Sequence, residues 1–318
     1  MPLVPSSSYR PPAGFGNPHL QTIWASKLRR VDGPVFVRER IETPDGDFLD
    51  LDRVPAGASR AAVISHGLEG STGRAYVRGM ARALASRGWD VVAWNLRGCS
   101  GEANRLARSY HSGDTADLDT VVQHVLPKYA RLALVGFSLG GNLTLKYLGE
   151  AERDPRLAAA VAFSVPVDLA ASSAALARWT NAHYMAYFLR SLRAKVLEKA
   201  ERFPDEVDAS RLRGVRSFRR FDEAFTAPMH GFAGAEDYWA RASSRPFLPH
   251  IRVPTLLVNA ADDPFLAPAC YPREEAAASG ALRLEIPAHG GHVGFVTRGA
   301  SGDYWSEGRA GEFLEEAV

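Results

Sequence analysis

The sequence has little cysteine. Its two, Cys99 and Cys270, cannot build a disulfide framework or complete a zinc site by themselves, and they fit a reducing compartment. An excess of charge of one sign is also missing. Lys and Arg number 38 against 36 Asp and Glu, a formal net charge of +2, whereas a polyanion binder needs a strongly basic face. No nucleic-acid partner is expected. The opening Met1-Pro2-Leu3-Val4-Pro5-Ser6-Ser7-Ser8 has neither the basic start nor the apolar run of a secretory signal, so a cytoplasmic protein is expected. The one stretch able to imitate a membrane span, Leu157 to Ala177, is interrupted by Pro166 and Asp168 and falls where a buried strand is due. Internal repeats and low-complexity tracts are absent too. What remains is an ordinary globule: 318 residues, 46% hydrophobic and 23% charged, enough for a sizeable core and unlike disordered, collagenous or coiled-coil chains.

The pattern along the chain divides it. Residues 1–30 read as a Pro/Gly/Ser-rich arm whose aromatic and apolar residues suit packing onto the body. Val35 to Ile41 and Phe48 to Val54 flank the turn-rich Thr43-Pro44-Asp45-Gly46-Asp47, which predicts an antiparallel hairpin. Strand and helix then alternate. Strands are expected at 61–65, 90–95, 131–135 and 157–163, and helices at 76–87, 115–129 (with Asp114 as N-cap) and 139–152. Short unbroken apolar strands separated by helices predict an α/β fold, a mostly parallel sheet covered on both faces. Between 166 and 249 the alternation stops. This segment reads as a helical cap insertion, with Trp179, Tyr184, Met185, Tyr187, Phe188 and Leu192 forming an apolar face. The core resumes over 250–318 with strands at 253–258 and 281–286 and a closing helix, and its first part is 31–165.

The chemistry concentrates after the strands. The run Arg131 to Val135 stops at Gly136-Phe137-Ser138-Leu139-Gly140, a G-x-S-x-G between strand and helix. Glycines two residues either side permit the sharp turn that lifts a serine hydroxyl to a helix N-terminus, where negative charge is favoured. Ser138 is the candidate nucleophile. The strand at 61–65 leads into His66-Gly67-Leu68-Glu69-Gly70, whose free N–H groups can face a reacting carbonyl. Leu68 N–H and Leu139 N–H are the candidate oxyanion hole. After 253–258 come Asp262 and Asp263; either can orient a histidine, and Asp263, nearer Pro268, is favoured. After the last strand stand His289 and His292. His292, between Gly291 and an apolar patch, is the candidate general base, and His289 is a supporting or surface residue.

Taken together, Asn17-Pro18-His19-Leu20-Gln21-Thr22, His66-Gly67-Leu68-Glu69-Gly70, Asn95-Leu96-Arg97-Gly98-Cys99-Ser100, Gly136 to Asn142, Asn259 to Pro264 and His289 to Phe295 resemble the YheT-like subfamily of α/β-hydrolases over residues 15–298. The order Ser, Asp, His is that of α/β-hydrolases. The resemblance implies an α/β-hydrolase fold and a carboxylic ester hydrolase acting on small-molecule acyl esters, lipid esters included; chemistry carried by Ser138, His292, an aspartate and two N–H groups requires no cofactor and no metal. Acyl transfer to an alcohol and a non-catalytic binding module are the rivals. No histidine has an aspartate five residues on, so the acyltransferase H-x-x-x-x-D pattern is missing. Ser138 also stands where epoxide- and haloalkane-cleaving members carry an aspartate. Arg211, Arg213, Arg216, Arg219 and Arg220 form a basic run that can meet anionic lipid head groups at a membrane surface, although a solvated helix face is the commoner outcome. Cys99 lies near a strand end, but Ser138 is the expected nucleophile.

Overall fold

Ala61, Val63, Leu132 and Leu134 share one buried cluster, while Ala62, Ile64, Ala133 and Val135 share another. Alternate residues of one strand point to opposite faces, so these unbroken apolar runs are strands covered on both sides. The computed structural model describes residues 3–297 and 302–318; Met1 and Pro2 of the arm, and residue 298 at the end of the family resemblance, lie outside the described residues. The strands are β1 (Val37–Glu42), β2 (Phe48–Val54), β3 (Arg60–Ser65), β4 (Asp90–Trp94), β5 (Arg131–Phe137), β6 (Leu157–Phe163), β7 (Thr255–Val258) and β8 (Leu282–Glu285). Among the described residues they form one eight-stranded sheet in the order β1-β2-β4-β3-β5-β6-β7-β8. The β1–β2 and β2–β4 pairings are antiparallel and the rest are parallel.

The helices are α1 (Pro18–Ile23), α2 (Ala75–Ala85), α3 (Thr115–Val125), α4 (Leu139–Glu150), α5 (Leu169–Leu176), α6 (Ala182–Arg202), α7 (Phe218–Phe221), α8 (Ala227–Met229), α9 (Ala235–Ala242), α10 (Arg273–Ala278) and α11 (Trp305–Ala317). Leu118 of α3 and Leu143, Leu145 and Leu148 of α4 cover one face of the sheet; Val77, Met80 and Leu84 of α2 and Phe313 of α11 cover the other. Each such side chain contributes about 1.5–3 kcal/mol when fully buried. Buried Arg97, just after β4, donates to both oxygens of Asp117 on α3 at 2.6 and 2.7 Å and to Asp45 and Asp47 of the hairpin turn, so one cation ties hairpin, sheet and helix together.

Parallel register brings the carboxyl ends of β3 to β8 to one rim, with Ser65 opposite both Trp94 and Gly136. Everything between β6 and β7 is helical or irregular. Its apolar cluster, including Tyr184, Leu189, Val196, Phe218 and Phe221, packs with Phe265 and Leu68 at that rim. No helix among the described residues is long and apolar enough to cross a membrane.

Three expectations are corrected. Asp114 occupies the N-cap position of α3 but makes no capping bond; its carboxylate instead accepts from Arg108 at 2.6 Å, because an ion pair to a guanidinium outweighs one backbone N–H. Trp179 does not join an apolar face. It lies in a 3₁₀ turn ahead of α6 and is 87% exposed, since the helix starts only at Ala182 and the turn breaks its phase. The helix predicted to Tyr129 ends at Val125 and passes into a 3₁₀ turn containing Pro127, whose missing N–H cannot continue an α-helix.

Candidate active site

Ser138 sits between β5 and α4 with φ 52° and ψ −117°, a left-handed backbone that costs a non-glycine residue about 1–3 kcal/mol. Close packing enforces the turn. A Cβ on Gly140 would lie 2.3 Å from Ser65 O, and one on Gly136 would lie 2.5 Å from Gly140 O. The chain reverses here with no room for any side chain at either position, and α4 begins at the next residue.

His292 approaches from the loop after β8. Its Nε2 is 2.9 Å from Ser138 Oγ, and its Nδ1 is 2.9 and 3.1 Å from the two oxygens of Asp263. A carboxylate only accepts, so Nδ1 carries the hydrogen and Nε2 is left to accept from the serine hydroxyl. The Asp263 side chain is fully buried and also accepts from Phe265 N at 2.9 Å. Of the two adjacent aspartates, Asp263 faces His292. Asp262 faces elsewhere, accepting from Gly291 N at 2.9 Å and pairing with the exposed His289 at 3.1 Å. The Phe265 ring stacks on the imidazole with centroids 4.1 Å apart.

The turn after β3 lies against the serine, since a Cβ on Gly67 would come 3.2 Å from Ser138 Cβ. His66 is wholly buried. Its Nε2 accepts from Leu96 N at 3.1 Å, so Nδ1 donates to Gly67 O at 2.8 Å. Burial pushes the imidazole down to about 4, which keeps it neutral in this bridging role. Tyr76 Oη accepts from Gly67 N at 3.0 Å. Among the described residues, the N–H groups of Leu68 and Leu139 have no acceptor within the chain. Leu139 is the first residue of α4, where a helical N–H has no intrahelical partner.

Ser138 and His292 form a wall shared by two cavities. One, of about 150 Å³, runs beneath α5 to α9 and is mainly apolar, with Leu176, Leu192, Val196, Phe221 and Phe225 in its lining. The other, of about 290 Å³, opens between α1, α2 and α6. A nucleophile, a base of fixed tautomer, a buried carboxylate and two undonated N–H groups are what acyl transfer through an oxyanion needs.

The family described as alpha/beta hydrolase fold matches residues 63–298. The chain belongs to that family. The Escherichia coli (strain K12) protein named "Putative esterase YheT" is 38% identical over 299 residues, spanning 92% of this chain and 88% of that one. Mouse "Phospholipase ABHD3" is 33% identical over 276 residues, 83% of this chain and 67% of that protein. Among solved structures, the Pyrococcus furiosus esterase Pf2001 superposes with a TM-score of 0.60 at 16% identity, covering 99% of this chain and 98% of that one, which speaks to the fold. The alpha/beta hydrolase membership and these relatives support a hydrolase.

Several residues around this alpha/beta hydrolase site were given no role by the sequence. Thr22 Oγ1 accepts from His292 N at 2.9 Å while donating to Pro18 O at 2.8 Å, so the arm's first helix holds the histidine loop. Ser164 Oγ accepts from Val293 N at 2.9 Å. Glu69 accepts from Tyr110 at 2.6 Å, from Lys195 of α6 at 2.9 Å and from Ser191, joining the turn after β3 to the helical segment. The Asn17-Pro18 helix start was the only available signal for the first of these contacts, and the others depend on long-range packing. Cys99 Sγ lies 3.1 Å from Lys195 Nζ, yet burial pushes its thiol up to about 11, a poor nucleophile at neutral pH. The five arginines of the basic run are exposed.

Proposed function

We propose that this chain is a serine carboxylic ester hydrolase that works through an acyl-enzyme. In this reading Ser138 is the nucleophile, His292 the general base and acid, Asp263 the carboxylate orienting it, and Leu68 and Leu139 N–H the oxyanion hole. The observation that carries it is the unbroken hydrogen-bond chain from Asp263 through His292 to Ser138 at a strained strand-to-helix turn. As Oγ bonds to the carbonyl carbon, its proton passes to His292 Nε2 and the carbonyl oxygen becomes an oxyanion held by the two N–H groups. Each such donor is worth about 3 kcal/mol in the transition state. Collapse breaks the ester C–O bond, and His292 returns the proton to the departing alkoxide, which leaves as an alcohol. Water then attacks the acyl-serine, giving its proton to His292 and then to Oγ, and the carboxylic acid is released. Asp263 stays ionised throughout and stabilises the imidazolium.

The helices of residues 166–249 act in this scheme as a cap, and the apolar cavity beneath them takes the acyl chain. The names of the relatives, an esterase and a phospholipase, support an ester as the substrate. A fluorophosphonate probe tests the assignment of the nucleophile. Intact-mass analysis is expected to show one adduct, mapped to Ser138 and lost in Ser138→Ala. A wild-type protein that stays unlabelled under the same conditions contradicts the reading.

A further inference from the structure

The second cavity beside Ser138 differs from the first in charge. Its lining includes Lys27 and Arg74 and no carboxylate, whereas the apolar cavity sets Glu69 and Asp222 against Lys195 and Lys199. Neither Lys27 nor Arg74 pairs with a carboxylate among the described residues. Arg74, half-buried at the start of α2, spends one nitrogen on Glu69 O at 2.8 Å and on Tyr187 Oη at 3.4 Å. Of the five N–H bonds of its guanidinium, those on the other two nitrogens stay available. Lys27, at the exposed rim, stands 3.8 Å from the centroid of the Tyr187 ring. Burial alone would raise the Tyr187 phenol, yet Lys27 and Arg74 together pull it below its usual value, a sign of a positive field at that end of the chamber.

A cleft lined by charge of one sign focuses its field and concentrates the oppositely charged ligand. Here that site shares its inner wall, Ser138 and His292, with the apolar cavity. An ester bound at the serine has two arms, and the two cavities offer one place for each. We propose that the chamber between α1, α2 and α6 receives the alcohol arm of the ester, and that Lys27 and Arg74 select an alcohol bearing an anionic group, a phosphate or a carboxylate. The inference rests on the serine-hydrolase reading above. It makes the arm of residues 1–30, through Lys27, part of substrate recognition. It also sets His292 between the two arms, where it can return the proton to the leaving oxygen on the chamber side.

Paired esters with the same butanoyl group test it on the full chain. One pair is 4-(butanoyloxy)benzoate and the neutral 4-(butanoyloxy)benzamide; the other is butanoyl glycerol 3-phosphate and monobutanoyl glycerol. We expect kcat/KM to favour the anionic member at least tenfold at low salt in one or both pairs, with the pair that responds naming the anion. The preference should shrink severalfold at 0.5 M KCl, where the screening length falls to a few ångströms. Lys27→Gln and Arg74→Lys should each lower the anionic-to-neutral ratio at least fivefold, mainly through KM, while Arg220→Gln on the exposed basic run leaves the ratio as in the wild type. Neutral esters hydrolysed at Ser138 with no anion preference, or a preference unchanged by Lys27→Gln, overturn this proposal alone. Hydrolysis that survives Ser138→Ala overturns the reading beneath it as well.

Discussion

Lys195 of α6 holds its ammonium 2.9 Å from Glu69 Oε1, one residue on from Leu68, whose N–H is the proposed oxyanion donor. Glu69 itself has φ 52°, so its strained backbone and its ion pair are fixed together. The pair couples the helical segment to the turn after β3, and the position of one cannot change without the other.

Removing the cation alone therefore leaves a buried carboxylate with, among the described residues, only Tyr110 and Ser191 to satisfy it. Lys195→Met should destabilise the protein by about 2–4 kcal/mol and lower kcat roughly tenfold as the Leu68 N–H drifts. Adding Glu69→Gln to that variant removes the uncompensated charge and should recover most of the stability in urea unfolding. A single variant as stable as the wild type contradicts the coupling.

The two neighbouring aspartates separate cleanly. Asp263→Asn cannot hold Nδ1–H toward a carboxylate, and kcat should fall by about 10³–10⁴, with KM little changed. Asp262 hydrogen-bonds, among the described residues, to Gly291 N and His289 rather than to His292, so in Asp262→Asn kcat should stay within about threefold. Steady-state kinetics on a p-nitrophenyl ester checks both, and the reverse order of effects would exchange their roles.

Three histidines, the buried His66 and the half-buried His111 and His230, contribute to the response to acid. Burial lowers His66 to about 4, His111 to about 3 and His230 to about 2, so the folded protein keeps them neutral while the unfolded chain protonates near 6.5. The unfolded state then binds more protons, and stability that is fully present above pH 6.5 is lost as pH falls from there toward the folded values. Each fully buried histidine adds up to about 1.4 kcal/mol per pH unit to that slope. His111 and His230 line the apolar cavity and contribute less. The unfolding free energy of His66→Gln should fall less steeply between pH 6.5 and 4.5, by about 1 kcal/mol per unit. Equal slopes in urea titrations of the two proteins would contradict the neutral bridge assigned to His66.

Val196 lines the apolar cavity from α6. Val196→Phe should fill part of it and move the preferred acyl chain two or more carbons shorter across a p-nitrophenyl ester series, at a stability cost of about 1–3 kcal/mol from overpacking. An unchanged chain-length profile would place the acyl group elsewhere.

Much of the architecture could be read directly, because it is written in local pattern. Ala61 to Ile64 and Leu132 to Val135 are apolar without interruption, as befits strands buried on both faces, and the glycines at 136 and 140 announce a turn too tight for any side chain. The candidate site was half readable for the same reason. Ser138, Asp263 and His292 each follow a strand, and parallel strands share one rim. The choice between Asp262 and Asp263 could not be settled by spacing, since both sit on one tight turn and only the direction of each side chain distinguishes them. Thr22, 270 residues from His292, has only the Asn17-Pro18 helix start beside it, and Lys195, 126 residues from Glu69, carries no local signature at all. Their positions are consequences of how the arm and the helical segment dock. Trp179 misled for the opposite reason: its apolar character fitted the helical period, but a 3₁₀ turn placed it in solvent.

The most direct measurement is kcat/KM for p-nitrophenyl butanoate with the wild type and with Ser138→Ala, both shown to be folded by circular dichroism. Wild-type turnover and a loss of about 10⁴-fold or more in the variant are expected, the nucleophile being irreplaceable by the remaining groups. A folded Ser138→Ala protein that hydrolyses the ester at the wild-type rate would contradict Ser138 as the nucleophile.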